Sequence, residues 1–346
     1  MKADKRHPIT KAECPFGFRW PVAASLVTAF LLLTGCDGIQ AALTPNSPGA
    51  ERIAEIAWIL FIGAAVIFIA VMALTLYAMI ARPGRGGWIG SGALIIGGGL
   101  IFPVVTLSAL LIYTLDAAGV MTAPAEGNPL RIEVIGHMWW WEVRYLDEDG
   151  NVAFVSANEV RVPVGRPVTA AVSTADVIHS FWVPNLAGKI DMIPGRVNDV
   201  TFQAEEPGTF RGQCAEYCGA QHAKMAFFVV AEEPERFARW FEHQSGPARE
   251  PQTPFITRGR DLFLSSGCGA CHTVRGTPAA GRIGPDLTHV GSRVSIAAGI
   301  LDNHIGTLEA WIANSQRIKP ENRMPSFDVF EGEDLRAIAA YLESLK

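Results

Sequence analysis

Cys214-Ala-Glu-Tyr-Cys218-Gly-Ala-Gln-His222-Ala-Lys-Met225 places two thiols, an imidazole and a thioether within twelve residues. Soft sulfur beside imidazole is a donor set that copper favours, with Met as the weak tuning ligand of electron-transfer sites. A mononuclear site of that kind uses one Cys. A pair of thiolates can instead bridge two copper ions, spread one electron over both and keep reorganisation small. One more imidazole is then needed, and His179 is the natural donor. It stands in Asp176-Val-Ile-His179-Ser-Phe-Trp-Val-Pro184, at the end of a strand and 35 residues before Cys214. A disulfide between the two thiols, or zinc held with the two histidines, would leave Met225 and Glu216 unexplained.

Around this segment the chain reads as short strands divided by turns. Arg131–Val134, Trp139–Tyr145, Glu159–Val162, Val168–Val172, Asp199–Ala204 and Ala226–Val230 carry the strand signal, with Asp149-Gly150 and Glu206-Pro207-Gly208 among the turns. Such spacing predicts a sandwich or barrel over 128–232. In the run Trp139-Trp140-Trp141, alternation puts the first and third on one face and the second on the other. His137 has no evident partner and reads as structural. A short helix from Pro234 to Glu242 leads into 243–254, rich in Pro, Gly and polar residues, which reads as a linker.

The last part, 255–346, holds Cys268-Gly-Ala-Cys271-His272, the spacing of covalent haem attachment. Two thioether bonds fix the porphyrin edge and the adjacent His reaches the iron. Met324, in Asn322-Arg-Met-Pro-Ser-Phe327, is the only Met after that motif and the expected sixth ligand, with His289 and His304 as its rivals. His/Met ligation raises the potential and leaves no open coordination position. A thioredoxin-like pair of cysteines would call for neither His272 nor Met324.

Upstream, two runs lack any acidic charge and are almost wholly apolar: Ile56 to Ala81, 26 residues, and Gly86 to Leu115, 30 residues. Each exceeds the ~20 apolar residues needed to span a bilayer, so a transmembrane hairpin is expected over 50–118, with helices near 54–81 and 88–115. Pro103 is expected to kink the second. Arg82 and Arg85 place the loop between them on the cytoplasmic side and everything after residue 118 outside. The chain begins with Lys2, Lys5, Arg6, Lys11 and Arg19, then an apolar stretch from Val22 to Leu33, then Leu33-Thr-Gly-Cys36. This is the layout of an export signal over 1–35. Its end resembles the lipobox of bacterial lipoproteins, which implies cleavage before Cys36 and acylation of that thiol. Composition agrees: of 346 residues 49% are hydrophobic and 18% charged, too apolar for an ordinary soluble enzyme, and the net charge of −5 argues against nucleic acid as a partner.

Together these segments resemble subunit II of haem–copper cytochrome c oxidases, in the caa3-type form that carries a fused cytochrome c domain. The resemblance includes Gly136-His-Met-Trp139-Trp-Trp-Glu-Val-Arg-Tyr145 and Lys189-Ile-Asp-Met-Ile-Pro-Gly-Arg196. It implies a multidomain membrane protein: a two-helix hairpin, a cupredoxin-like β-barrel with a binuclear CuA centre, and an all-α class I cytochrome c domain. Carried onto this sequence, it makes Cys214 and Cys218 the bridging thiolates, His179 and His222 the terminal imidazoles, Met225 an axial ligand, and Glu216 a backbone-carbonyl ligand. The Glu216 carboxylate would face a magnesium ion shared with subunit I, and Trp139 would be the electron-entry tryptophan. Gly284-Pro-Asp-Leu287 resembles the loop that supports the haem histidine. Phe255–Ser265 and Glu333–Leu345 resemble the crossing terminal helices, with Gly259 and Phe263 against Tyr341.

The implied function is transfer of electrons from a donor, cytochrome c or the cytochrome bc1 complex, to haem c, then CuA, then haem a of subunit I. There oxygen is reduced at haem a3 and CuB, coupled to proton translocation, with subunit III a further partner. The implied location is a bacterial cell membrane, with both redox domains on the periplasmic side. A CuA-bearing subunit of a nitric oxide reductase complex and a membrane-anchored copper-delivery protein are the alternatives. One departure stands out: residues 82–102 contain no Asp or Glu where many members carry a proton-uptake carboxylate. Every cysteine then has a use, since Cys14 leaves with the signal, and no structural disulfide is expected.

Overall fold

The structure, a computed structural model, describes residues 38–80, 92–121 and 127–346. The expected export signal over 1–35, Cys36 and the segment bearing Arg82 and Arg85 lie outside the described residues.

Helix α1 spans Pro48–Ile80 and starts earlier than the apolar run that marks it. Its first turn is set by polar chemistry rather than hydropathy. Ser47 caps it, its Oγ accepting from the Ala50 amide at 3.0 Å, and Pro48 occupies the first position, where a missing N–H costs nothing. The same end is tied to the β-domain, with the Asn46 amide donating to the Asn185 carbonyl at 2.7 Å and Asn185 Nδ2 to the Thr44 carbonyl at 2.8 Å. The second apolar segment comprises α2 (Gly92–Ile96), a π-helical turn (Gly97–Ile101) and α3 (Phe102–Met121). Pro103 cannot donate to the carbonyl four residues back. The widened turn just before it absorbs that defect, the Phe102 amide donating to the Gly97 carbonyl, one residue further back than in an ordinary helix. Both segments are long and apolar enough to cross a membrane and present their side chains outward.

The second domain is a β-sandwich of ten strands, β1 (Leu130–His137), β2 (Trp140–Leu146), β3 (Val152–Ala157), β4 (Glu159–Pro163), β5 (Val168–Thr174), β6 (His179–Phe181), β7 (Ile190–Met192), β8 (Asn198–Phe202), β9 (Gly208–Gln213) and β10 (Ala226–Glu232). One sheet runs β3-β2-β1-β5-β8, the other β4-β10-β9, and β6 pairs with β7 apart from both. The β1–β5 and β4–β10 pairs are parallel and the rest antiparallel. Alternating residues from the two sheets, such as Ile132, Val134, Trp141 and Val143 against Val160, Phe227 and Val229, form one core. Of the tryptophan run, Trp139 and Trp141 are buried and Trp140 is only partly so. His137 stacks on Trp140 at 4.4 Å, with Glu142 3.4 Å from its Nε2, so it does have partners.

Helix α4 (Pro234–Ser245) reaches further than its apolar pattern suggested. The residues after it are held rather than loose: the Ala248 amide donates to the Arg275 carbonyl at 2.9 Å, and Arg275 also donates to the Gln244 carbonyl in the last turn of the helix. The last domain contains α5 (Pro254–Ser265), the short pair β11 (Ser295–Ile296) and β12 (Leu301–Asp302), α6 (Ile305–Ile318) and α7 (Gly332–Ser344). Thr253 caps α5 by accepting from the Ile256 amide at 3.2 Å. Helices α5 and α7 cross at Gly259, with the Phe263 and Tyr341 rings 5.7 Å apart.

The two domains share a polar seam. Arg161 Nη2 donates to the Ser292 carbonyl at 3.0 Å, the Val294 amide to Glu159 Oε2 at 2.7 Å, and the Ala226 amide to the Ala298 carbonyl at 3.0 Å. Arg161 is in turn paired with buried Glu159 and Glu232 at 2.7 and 3.0 Å, so the cation at the seam is matched by carboxylates on its own domain.

Candidate metal centre and haem cavity

The loops at one end of the sandwich bring together side chains that are up to 46 positions apart in the chain, from His179 on β6 to Met225 before β10. Cys214 Sγ lies 3.7 Å from Cys218 Sγ, 3.8 Å from His179 Nδ1 and 3.2 Å from the Glu216 carbonyl oxygen. Cys218 Sγ lies 3.6 Å from His222 Nδ1 and 3.8 Å from Met225 Sδ. Ligand atoms of His179, Cys214 and Cys218 fall within 4.8 Å of one another, and all three residues are buried. The close Cys218 thiol drives Cys214 far below the ordinary thiol range, with His179 adding to the effect, and Cys218 is pushed up by the same contact. Buried soft sulfur, two inward-facing Nδ1 atoms and a carbonyl oxygen suit a sulfur-bridged copper pair better than an oxygen-loving ion. The Glu216 carboxylate is half-exposed and lies 3.9 Å from Lys189 Nζ.

Two supporting contacts had no assigned role in the sequence. Asp176 Oδ1 is 2.9 Å from His179 Nε2, which leaves Nδ1 as the free ligand atom, and Asp176 also accepts from the Met138 amide at 2.8 Å. Burial opposes the charge on His179, but hydrogen bonds to Cys214 and Asp176 outweigh it and raise its pKa. Asp-x-x-His was the available clue. Trp139 lies in the turn before β2, and its Nε1 donates to the Cys218 carbonyl at 2.8 Å.

In the last domain, Cys268, Cys271, His272 and Met324 line a single largely apolar cavity, walled by Leu308 and Ile338 among others. All four described cysteines are free. His272 Nδ1 donates to the Pro285 carbonyl at 2.8 Å, so Nε2 is the atom left to bind iron, and burial lowers the pKa of the ring. Gly284 is packed on that ring: a Cβ there would meet His272 Cε1 at 2.7 Å. Of the rival ligands, His304 caps α6 and His289 faces Gly246, and neither lines the cavity. The far wall of the cavity is supplied by the β-domain, through His137, Met138, Trp139 and Trp140.

A cluster of soft donors on a sandwich, abutting a cavity fitted for attached haem and joined to two helices long and apolar enough to cross a membrane, makes this a membrane-anchored electron-transport protein with two candidate centres. Residues 149–232 match the family described as cytochrome c oxidase subunit II, periplasmic domain, and 256–346 match cytochrome c. Cytochrome c oxidase subunit 2 of Alkalihalophilus pseudofirmus is 36% identical over 330 residues, 91% of this chain and 94% of that one. The Bacillus subtilis protein of the same name is 29% identical, covering 71% and 73%. The periplasmic domain of subunit II of cytochrome oxidase from Bradyrhizobium japonicum is 35% identical, with 36% of this chain and 96% of that chain covered and a TM-score of 0.32. The chain belongs to the cytochrome c oxidase subunit 2 family, and it carries a cytochrome c domain in the same polypeptide. The two matched domains imply copper and haem c as its cofactors.

Proposed function

We propose that this chain relays single electrons from a donor, cytochrome c or the bc1 complex, through haem c and binuclear CuA to haem a of subunit I, where oxygen reduction drives proton translocation. The observation that carries this reading is the shared wall: the cavity lined by His272 and Met324 is closed by Trp139, whose indole is bonded to the Cys218 carbonyl. In it Cys214, Cys218, His179, His222, Met225 and the Glu216 carbonyl would hold the copper, which would supply one-electron transfer, and Trp139 would be the entry point. Cys268 and Cys271 would attach the haem covalently, and His272 and Met324 would bind its iron. The half-exposed Glu216 carboxylate is the group available to a magnesium ion at the subunit I face. The domain limits 128–232 and 255–346, the extracytoplasmic side, the signal over 1–35 and acylation of Cys36 belong to the same proposal.

The complex, purified with its catalytic subunit, is expected to consume oxygen with a reduced donor and to show a two-nucleus copper hyperfine pattern. Nitric oxide consumption without oxygen consumption would move the chain to a nitric oxide reductase, and a single-copper pattern or zinc would refute the cluster.

The haem side makes its own prediction. Gly284→Ala puts a methyl group against His272 Cε1 and turns the imidazole off its Pro285 hydrogen bond. Haem should stay attached through the two cysteines, while the reduced spectrum loses its low-spin form in part of the population. An unchanged spectrum would mean that Gly284 does not set the ring.

A further inference from the structure

Lys319 ends α6, where a lysine ordinarily stays in water and helps to cap the helix. Here it is only 2% exposed. Its Nζ crosses the seam between the domains and donates to the Trp139 carbonyl at 2.9 Å and the Ala297 carbonyl at 3.3 Å. No carboxylate among the described residues contributes to its electrostatics: burial and Lys224 push its pKa down to about 7, and Cys218 alone opposes them. A buried amine is costly unless its N–H groups find partners, and here two carbonyls supply them, one of them across the seam. The receiving turn is also strained. Ala297 and Ala298 sit at φ +54° and +60°, a left-handed region that any Cβ disfavours, and the carbonyl of each accepts a bond there, Ala297 from Lys319 and Ala298 from the Ala226 amide across the seam.

We propose that Lys319 is a positioning residue for electron transfer between the two centres, its Nζ fixing Trp139 in a hydrogen-bonded link from the haem cavity to the backbone carbonyl of Cys218. The link runs from Lys319, which lines that cavity, to the Trp139 carbonyl, and from the Trp139 indole to the Cys218 carbonyl. The transfer it serves moves one electron from reduced haem to the oxidised copper pair, with no bond made or broken and no proton moved. This inference rests on the function proposed above, and it adds a residue that the copper and haem motifs do not contain.

The test uses the intact complex. In the wild-type protein, acylation of Lys319 by an amine reagent, read by mass spectrometry, should be at least 10-fold slower than that of exposed Lys346. Equal labelling would show that the clamp is open and would overturn the proposal. Haem c is then reduced rapidly and copper reduction is followed optically in Lys319→Met and Lys319→Arg. Lys319→Met should slow the transfer at least 10-fold with both midpoint potentials unchanged, and Lys319→Arg, which keeps a donor, should return it to within about 3-fold of wild type. A fully metallated Lys319→Met that transfers at the wild-type rate overturns the proposal, as does slowing in both variants with shifted potentials. If Lys319→Met does not assemble, the labelling result and the Lys319→Arg rate decide. Failure of the wild-type haem to reduce copper at all would instead sink the proposed function.

Discussion

Cys214→Ser should abolish the two-nucleus copper pattern and leave the haem c spectrum intact. Cys214 is the hub of the cluster, within 3.8 Å of Cys218, His179 and the Glu216 carbonyl, and it is the thiol whose pKa is driven down. Serine offers a hard hydroxyl that stays protonated at neutral pH, so the site loses its bridging anion as well as its softness. Losing a partner outside the coordination sphere typically costs ~10–100-fold in metal affinity. Loss of a bridging ligand should therefore exceed about 100-fold. Asp176→Asn is the graded comparison: it should fall inside that ~10–100-fold range and keep the pattern, because it removes only the partner that orients His179. Electrons should then collect on the haem of the Cys214→Ser complex, with oxygen consumption lost. A Cys214→Ser complex that still binds a copper pair would show that the sulfurs at 214 and 218 are not its bridge.

What the sequence made legible is what lies close along the chain. The segment 214–225 and the motif 268–272 each pack their donors into a few residues, so residue type and spacing alone define the chemistry. The long apolar runs were legible for the same reason. The start of α1 was not, because Ser47 and Pro48 fix it by capping, outside the hydrophobic pattern. Strands β6 and β7 have three residues each, too short for alternation to show, and β9, Gly-Thr-Phe-Arg-Gly-Gln, has only one strongly strand-forming hydrophobic residue. The seam between the domains was the least legible part. Lys319 and Trp139 are 180 positions apart, and nothing in the residues around Lys319 separates it from a solvated lysine. The stretch 243–254 reads as a linker, yet the Ala248 amide bonds to the Arg275 carbonyl of the domain that follows. Held in this way, the haem cavity has Trp139 as part of its wall.

Gly259→Ala should be the most destabilising of the small substitutions in the cytochrome domain, against the expectation from helix propensity. In the interior of a helix, Ala is favoured over Gly by about 1 kcal/mol. At this crossing, however, the added Cβ would stand 1.9 Å from the Ala337 carbonyl oxygen and 3.0 Å from Tyr341 Cβ. The obstacle is backbone, which cannot swing aside as a side-chain tip can, so α5 and α7 must separate. Overpacking of that kind costs roughly 1–3 kcal/mol and occasionally more. We expect a net loss of about 2 kcal/mol or more after the propensity gain. The consequence reaches the haem, because α5 leads directly into Cys268 while Ile338 and Leu342 on α7 wall the cavity. Denaturant unfolding followed by haem absorbance reports this domain alone, so the midpoint should fall while the copper signal is still native. Gly332→Ala is the control, since nothing lies within 4 Å of its Cβ position at the start of α7. It should stay within about 0.5 kcal/mol of wild type, as surface substitutions usually do. Equal midpoints for Gly259→Ala and Gly332→Ala would mean that the helix crossing tolerates a side chain, and that contact at Gly259 does not hold the haem domain closed.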